Sequence, residues 1–158
     1  MRSIKILSTL LLSGMLTLGA VAQADSHGIE QLQTDATVEE AAERLREALD
    51  EKGLRLFAVV DHTSNAESVE MQLPLTQTFI FGNPKAGTPL MQCDSSVALD
   101  LPQKMVIRQV QEGEKQTLIE WNSPQYLAER HGLEACDLPL DKIEGVLQSL
   151  AEAAAGNS

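Results

Sequence analysis

The chain has 158 residues, a formal net charge of −11 and only five aromatic residues, Phe57, Phe79, Phe81, Trp121 and Tyr126. An acidic surface repels phosphate backbones and anionic headgroups at the range where charge steers encounter, and so few rings make no base-stacking platform. Nucleic acid and anionic membrane surfaces are therefore not expected partners.

Arg2 and Lys5 precede an apolar run from Ile6 to Val21, and Ala22-Gln23-Ala24 has the small-x-small pattern of a signal peptidase site. Residues 1–24 are expected to be a cleaved signal peptide, leaving a periplasmic or secreted chain. The run is shorter than the ~20 residues of a spanning helix and ends without a basic flank, so no membrane attachment is expected after cleavage. Removing 24 residues from 158 leaves 134, the size of one domain, and loses two basic and no acidic residues, so the charge becomes −13. The mature chain would begin Asp25-Ser26-His27. Its free amine, two deprotonatable amides and one imidazole offer four nitrogens, a set suited to square-planar Cu(II) or Ni(II).

Residues 25–33 form an N-terminal segment with a possible first strand, the alternation running from Ile29 to Thr34 with a wet face. A single domain is expected over residues 34–155. Thr37-Val-Glu-Glu40 has capping-box spacing, and Val38, Ala41, Ala42, Leu45, Ala48 and Leu49 share one helical face before Gly53 stops the helix. Leu54 to Val60 is apolar on both faces and predicts a well-buried strand, ended by Asp61 to Asn65. Thr76 to Phe81 predicts another strand, closed by Gly82-Asn83-Pro84. Thr88-Pro89 has the chemistry of a helix start, for a short helix through Met91 and Cys93. Lys104 to Val110 and Gln116 to Trp121 predict a hairpin around Glu112-Gly113-Glu114. Ser123-Pro124 caps a helix ending at His131-Gly132, and Ile143, Val146, Leu147, Leu150, Ala151 and Ala154 stripe a final helix. Strands grouped in hairpins with helices at either end predict an α+β fold, a mainly antiparallel twisted sheet covered on one face by helices.

Four ordered segments carry a resemblance: Asp61-His62; Phe81-Gly82-Asn83-Pro84-x-x-Gly87-Thr88-x-Leu90-Met91; Ala98-Leu99-Asp100-Leu101-Pro102; and Asn122-Ser123-Pro124-x-Tyr126-Leu127-Ala128-x-Arg130-His131. In these the chain resembles family 302 of the bacterial domains of unknown function, from about Thr34 to Ala154. The resemblance implies an α+β sandwich similar to the TATA-binding-protein-like class, often a homodimer, and assigns no activity. Cys93 and Cys136 depart from the family pattern.

The candidate ligand-binding residues are Asp61 and His62 at a strand exit, and Gly82, Asn83, Pro84, Gly87 and Thr88 in a loop leading into a helix. Both segments are strand exits and are expected to line one concavity, because loops on rigid scaffolds carry function disproportionately. Lys85 is out of place for a phosphate loop. His131, at a helix C-terminus, has a sufficient role beside the helix dipole. Asp61 could orient His62 as a base, but Ser123 is committed as a cap and no partner for a nucleophilic cysteine is identified, so a nucleophilic mechanism finds no residue set here. Two cysteines in an oxidising compartment point to a Cys93–Cys136 disulfide closing 43 residues; two separate buried thiols are the alternative. The leading functional reading is a non-enzymatic extracytoplasmic module that binds a small ligand or metal, or is associated with stress. Its rivals are a hydrolase or redox enzyme using His62 and the Gly82–Thr88 loop, and a dimeric structural or adaptor protein.

Overall fold

The computed structural model describes residues 27–111, 113 and 115–157. The expected signal peptide, Asp25, Ser26, Glu112 and Glu114 lie outside them. Five strands form one sheet among the described residues: β1 (Ile29–Thr34), β2 (Arg55–Asp61), β3 (Thr76–Gly82), β4 (Gln103–Gln109) and β5 (Thr117–Asn122). Their order is β1-β5-β4-β3-β2, and every neighbouring pair is antiparallel. The expected α+β architecture is the one observed.

Helix α1 (Val38–Glu51) starts at its capping box. The Thr37 hydroxyl accepts the Glu40 N–H, and the Glu40 carboxylate accepts the Thr37 N–H at 2.9 Å. Its buried residues are those of the predicted stripe, and three of them are alanines. Small residues there, with Ala151, Ala154 and Ala155 on α5 (Leu140–Ala155), let the two helices lie close together on one sheet face. Beneath them Phe79, Phe81, Met105, Ile107, Ile119 and Trp121 are fully or almost fully buried. Each such side chain contributes about 1.5–3 kcal/mol of transfer free energy. None of the described helices covers the opposite sheet face in the same way. Val60, Ile80, Val106 and Leu118 are only half-buried there, beside an Arg108–Glu120 ion pair that is bidentate at 2.6 and 3.0 Å.

Three local expectations need correction. The β2 segment reads as buried on both faces, but topology makes it an edge strand with one face turned away from α1 and α5. A bulge between Leu56 and Ala58 leaves Phe57 exposed. The Thr88-Pro89 helix start is displaced to Asn83-Pro84. The Asn83 side chain accepts the Lys85 N–H at 2.9 Å, Pro84 occupies the first turn of α3 (Pro84–Cys93), and Pro89 lies inside the helix. Finally, Asp61 to Asn65 ends β2 as expected, but it does so as the start of a helix not foreseen there. The Asp61 carboxylate caps α2 (His62–Glu67) by accepting the Ser64 N–H at 2.9 Å. That hydrogen bond chiefly holds the Asp61 carboxyl below its ordinary value.

Glu144 on α5 behaves in the opposite sense. Its Oε2 is buried with no hydrogen-bond partner among the described residues. Burial, with the negative charge of Glu30 second, pushes its carboxyl above the ordinary 4.5. The folded chain therefore holds this proton more tightly than the unfolded chain, so the contribution to stability is full below the ordinary value. It is lost as pH rises through the raised one. Glu144→Gln should remove that loss: melting curves from pH 4.5 upward should show the variant gaining on the wild type as pH rises. Parallel curves would place the Glu144 carboxyl in an ordinary solvated environment.

Candidate functional site

The antiparallel meander sends the exits of β3 and β5 and the entry of β4 to one end of the sheet. That end carries α3, the 3₁₀ turn Ser95–Leu99 and α4 (Pro124–His131). Leu90, Val97, Ala128 and Leu133 form a small second core there, with Leu101, Leu138 and Ile143 packed against it. Cys93 and Cys136 are brought to disulfide distance at the edge of this core, with Cα atoms 6.3 Å apart.

Between α3, the Leu101-Pro102 segment and the Phe57 bulge lies a cavity of about 240 Å³. Gly82, Asn83, Pro84, Gly87 and Thr88 all line it, with Leu90, Met91, Leu101 and Ile143 supplying much of the apolar wall. Asn83, Thr88 and Gln103 are the polar side chains of the lining, and no titratable side chain belongs to it. A Cβ at position 87 would stand 3.8 Å from Leu101 Cδ1, in ordinary van der Waals contact, so a longer side chain there would reach into the cavity that both residues line.

Asp61 and His62 are not part of this concavity, which corrects the expectation that the two segments share one. Gly82 pairs with Arg55 at one end of the β2–β3 ladder, and Gln77 pairs with Asp61 at the other. Five residue steps along β3 separate them, roughly 17 Å at about 3.3 Å per residue. The segments are both strand exits, but from antiparallel strands, so they leave the sheet in opposite directions. His62 Nε2 meets Thr78 Oγ1 at 2.9 Å, and Asp61 caps its helix. His27 opens the described residues, in a turn before β1. The rest of the terminal copper or nickel set lies outside them. Among the described residues no group of three or more His, Cys, Asp or Glu could hold a metal ion.

One constellation escapes the sequence reading. His131 is buried at the end of α4, where Nε2 lies 2.6 Å from Asp100 Oδ2 and Nδ1 lies 2.8 Å from Ser96 Oγ. Arg130 Nε stands 3.6 Å from the same Asp100 oxygen. Asp100 and His131 belong to separate resembling segments, and that shared status was the one signal available. Nothing in their spacing of 31 residues marks the contact.

Residues 30–150 match the family model described as domain of unknown function DUF302. The chain belongs to this family. The crystal structure of an uncharacterized conserved DUF302 protein from Bacillus stearothermophilus superposes with a TM-score of 0.72. It covers 82% of this chain and 99% of that one at 19% identity, a likeness of fold. Over 106 residues, 67% of its length, the DUF302 chain is also 34% identical to proteins named fluoride-specific ion channel FluC 1 from Brucella suis biovar 1 and FluC 2 from Brucella melitensis biotype 1. It spans 41% and 38% of those relatives.

Proposed function

We propose that this DUF302 chain is an extracytoplasmic module that binds a small, uncharged, largely apolar molecule in the cavity at the α3 end of the sheet, without transforming it there. The observation that carries the reading is the cavity itself, lined by the glycine, proline and aliphatic residues of the resembling segments. Ligand pockets are concave and mostly apolar, with a few placed polar groups. An apolar cavity of about 150 Å³ already takes benzene, so one of about 240 Å³ has room for a substituted ring or a short branched chain. A wall without acid, base or thiol supports holding over turnover, and it offers no counter-charge to an anion or a metal ion.

The channel activity named for the Brucella relatives is not carried over. No helix among the described residues is long and apolar enough to cross a membrane, and the match leaves more than half of those proteins uncovered. The dimeric adaptor is a second reading, favoured by the sheet face opposite α1 and α5 with its half-buried Val60, Ile80, Val106 and Leu118.

Indole serves as a neutral ring-sized probe. Titrated into the protein, it should shift the methyl resonances of Leu90, Met91, Leu101 and Ile143 in a saturable manner. Gly87→Leu should fill the cavity and weaken binding at least about tenfold, which is 1.4 kcal/mol. The same change removes a helical glycine that costs about 0.5–1 kcal/mol relative to alanine, so stability should hold or rise. Unperturbed methyls in the wild type, or equal affinity in Gly87→Leu, would exclude this cavity as the binding site.

A further inference from the structure

The hydrogen-bonded set Ser96, His131 and Asp100 lies outside the cavity lining, and the geometry points to a second, chemically distinct site: a serine nucleophile with a histidine base and a carboxylate that orients it. An ionised carboxylate only accepts hydrogen bonds. With Asp100 Oδ2 at 2.6 Å, Nε2 carries the ring proton, and in the neutral imidazole Nδ1 is left to accept from the Ser96 hydroxyl at 2.8 Å. Such an arrangement activates a serine, with nucleophile and base in hydrogen-bond reach and a third group fixing the ring. Compared with the familiar proteases, the two ring nitrogens have exchanged roles. The proton path is the same.

Burial separates the three groups by task. His131 and Asp100 are sheltered, with side chains 5% and 15% exposed, whereas Ser96 is exposed. A substrate can therefore reach the oxygen while the base stays sheltered from water. Asp94 holds the serine too: its Oδ1 accepts the Ser96 N–H at 2.8 Å, and the Ser96 hydroxyl, ahead of that N–H, keeps the Asp94 carboxyl below its ordinary value, so Asp94 and His131 Nδ1 share the serine proton at rest. Side chains three residues apart eclipse along a 3₁₀ helix, so Leu99 stands over the same edge of the Ser95–Leu99 turn as Ser96. It is 77% exposed. An apolar side chain held in solvent beside the nucleophile fits a short apolar acyl group, and a chain with net charge −11 disfavours anionic esters.

The substrate class is thus an uncharged ester with a small apolar acyl part. Ser96 Oγ bonds to the acyl carbon as its proton passes to His131 Nδ1. The tetrahedral adduct collapses, the ester C–O bond breaks, and the departing alkoxide takes that proton and leaves as the alcohol. Water then attacks the acyl-serine, giving one proton to Nδ1 and its hydroxyl to the acyl carbon. Ser96 leaves with the returned proton and the carboxylic acid departs. Asp100 remains ionised throughout and offsets the charge of the transient imidazolium.

The test is labelling of the purified, oxidised full chain by a short-alkyl fluorophosphonate, read by intact mass and peptide mapping. One adduct on Ser96 is expected, absent in Ser96→Ala, an exposed position where folding is not at stake. A positioned base contributes about 10²–10⁴-fold, so Asp100→Asn and His131→Gln, each checked for fold by circular dichroism, should slow labelling at least about 100-fold. The wild type should also release p-nitrophenol from p-nitrophenyl butyrate faster than Ser96→Ala. No adduct on Ser96 of the folded wild type overturns the proposal, as does an undiminished rate in a folded Asp100→Asn or His131→Gln. Either result would leave His131 as a structural tie between α4 and the 3₁₀ turn.

Discussion

Replacing Cys93 and Cys136 together by alanine should destabilise the domain by about 4 kcal/mol in the chain-entropy model for a closed loop of 43 residues. That is a large share of the ~5–15 kcal/mol that holds a typical domain. The Cα separation of 6.3 Å falls within the bridgeable range of about 4.4–6.8 Å, so pairing requires no backbone movement. The position matters as much as the loop length. The core at this end has four buried residues, Leu90, Val97, Ala128 and Leu133, far fewer than the core under α1 and α5. A cross-link from the end of α3 to the loop after α4 holds this thin layer together, along with the 3₁₀ turn between them. Urea midpoints of oxidised, dithiothreitol-reduced and double-alanine protein check the prediction. The last two should agree and fall well below the first. Coincident oxidised and reduced midpoints would mean that the pairing does not bear on stability.

The sequence carried the fold further than the site, for a physical reason. Helix α1 and the strands β3, β4 and β5 are specified locally, by caps, alternation and breakers within a dozen residues. Reading those patterns in order was enough to reach an antiparallel sheet with helices on one face. Burial on β2 was misjudged because an apolar run does not reveal whether its strand lies at the centre or the edge. Only the pairing order, with β2 outermost, decides that. The start of α3 was misplaced because Asn83-Pro84 and Thr88-Pro89 have the same cap chemistry, and Pro89 is tolerated within a helix whose first turn Pro84 already begins.

The site was half legible. The five loop residues from Gly82 to Thr88 do line one cavity, because a strand-to-helix turn keeps its neighbours in sequence close in space. The pairing of that loop with Asp61 and His62 failed because it was a claim about direction. Adjacent antiparallel strands put successive exits at opposite ends. The Ser96–His131–Asp100 set lay beyond reach for a related reason. It joins a 3₁₀ turn to a helix end across 35 residues, and neither partner has a local pattern requiring the other. Weighing Ser123 alone as the serine candidate also missed the exposed Ser96, since a cap can be recognised from sequence and a side-chain contact cannot.

Gly28→Ala should be among the most damaging single substitutions away from the main core, at roughly 2–5 kcal/mol. Two effects combine. Gly28 has φ +72°, where a Cβ costs about 1–2 kcal/mol. A Cβ built there would also overlap the ring of Tyr126, and overpacking of that kind costs about 1–3 kcal/mol. The backbone cannot simply shift away, because the Gly28 carbonyl accepts the Ser123 N–H at 2.8 Å, and Ser123 is the residue that caps α4. Strand β1, the cap and the Tyr126 ring thus form one joint, and α4 carries His131 at its far end. Gly53→Ala is the control, since Gly53 also has positive φ, at +62°, but open space around its Cβ position; it should show the backbone cost alone. Making Gly28→Ala in a Tyr126→Ala background should recover only the ring's share of the overpacking, because the Cβ that position 126 keeps would still stand 2.5 Å from the new one; the double-mutant cycle therefore gives a coupling on the order of 1 kcal/mol. Urea midpoints of the four proteins and the control decide it. A Gly28→Ala cost equal to that of Gly53→Ala, with no coupling to Tyr126, would mean that the ring does not lie against this glycine.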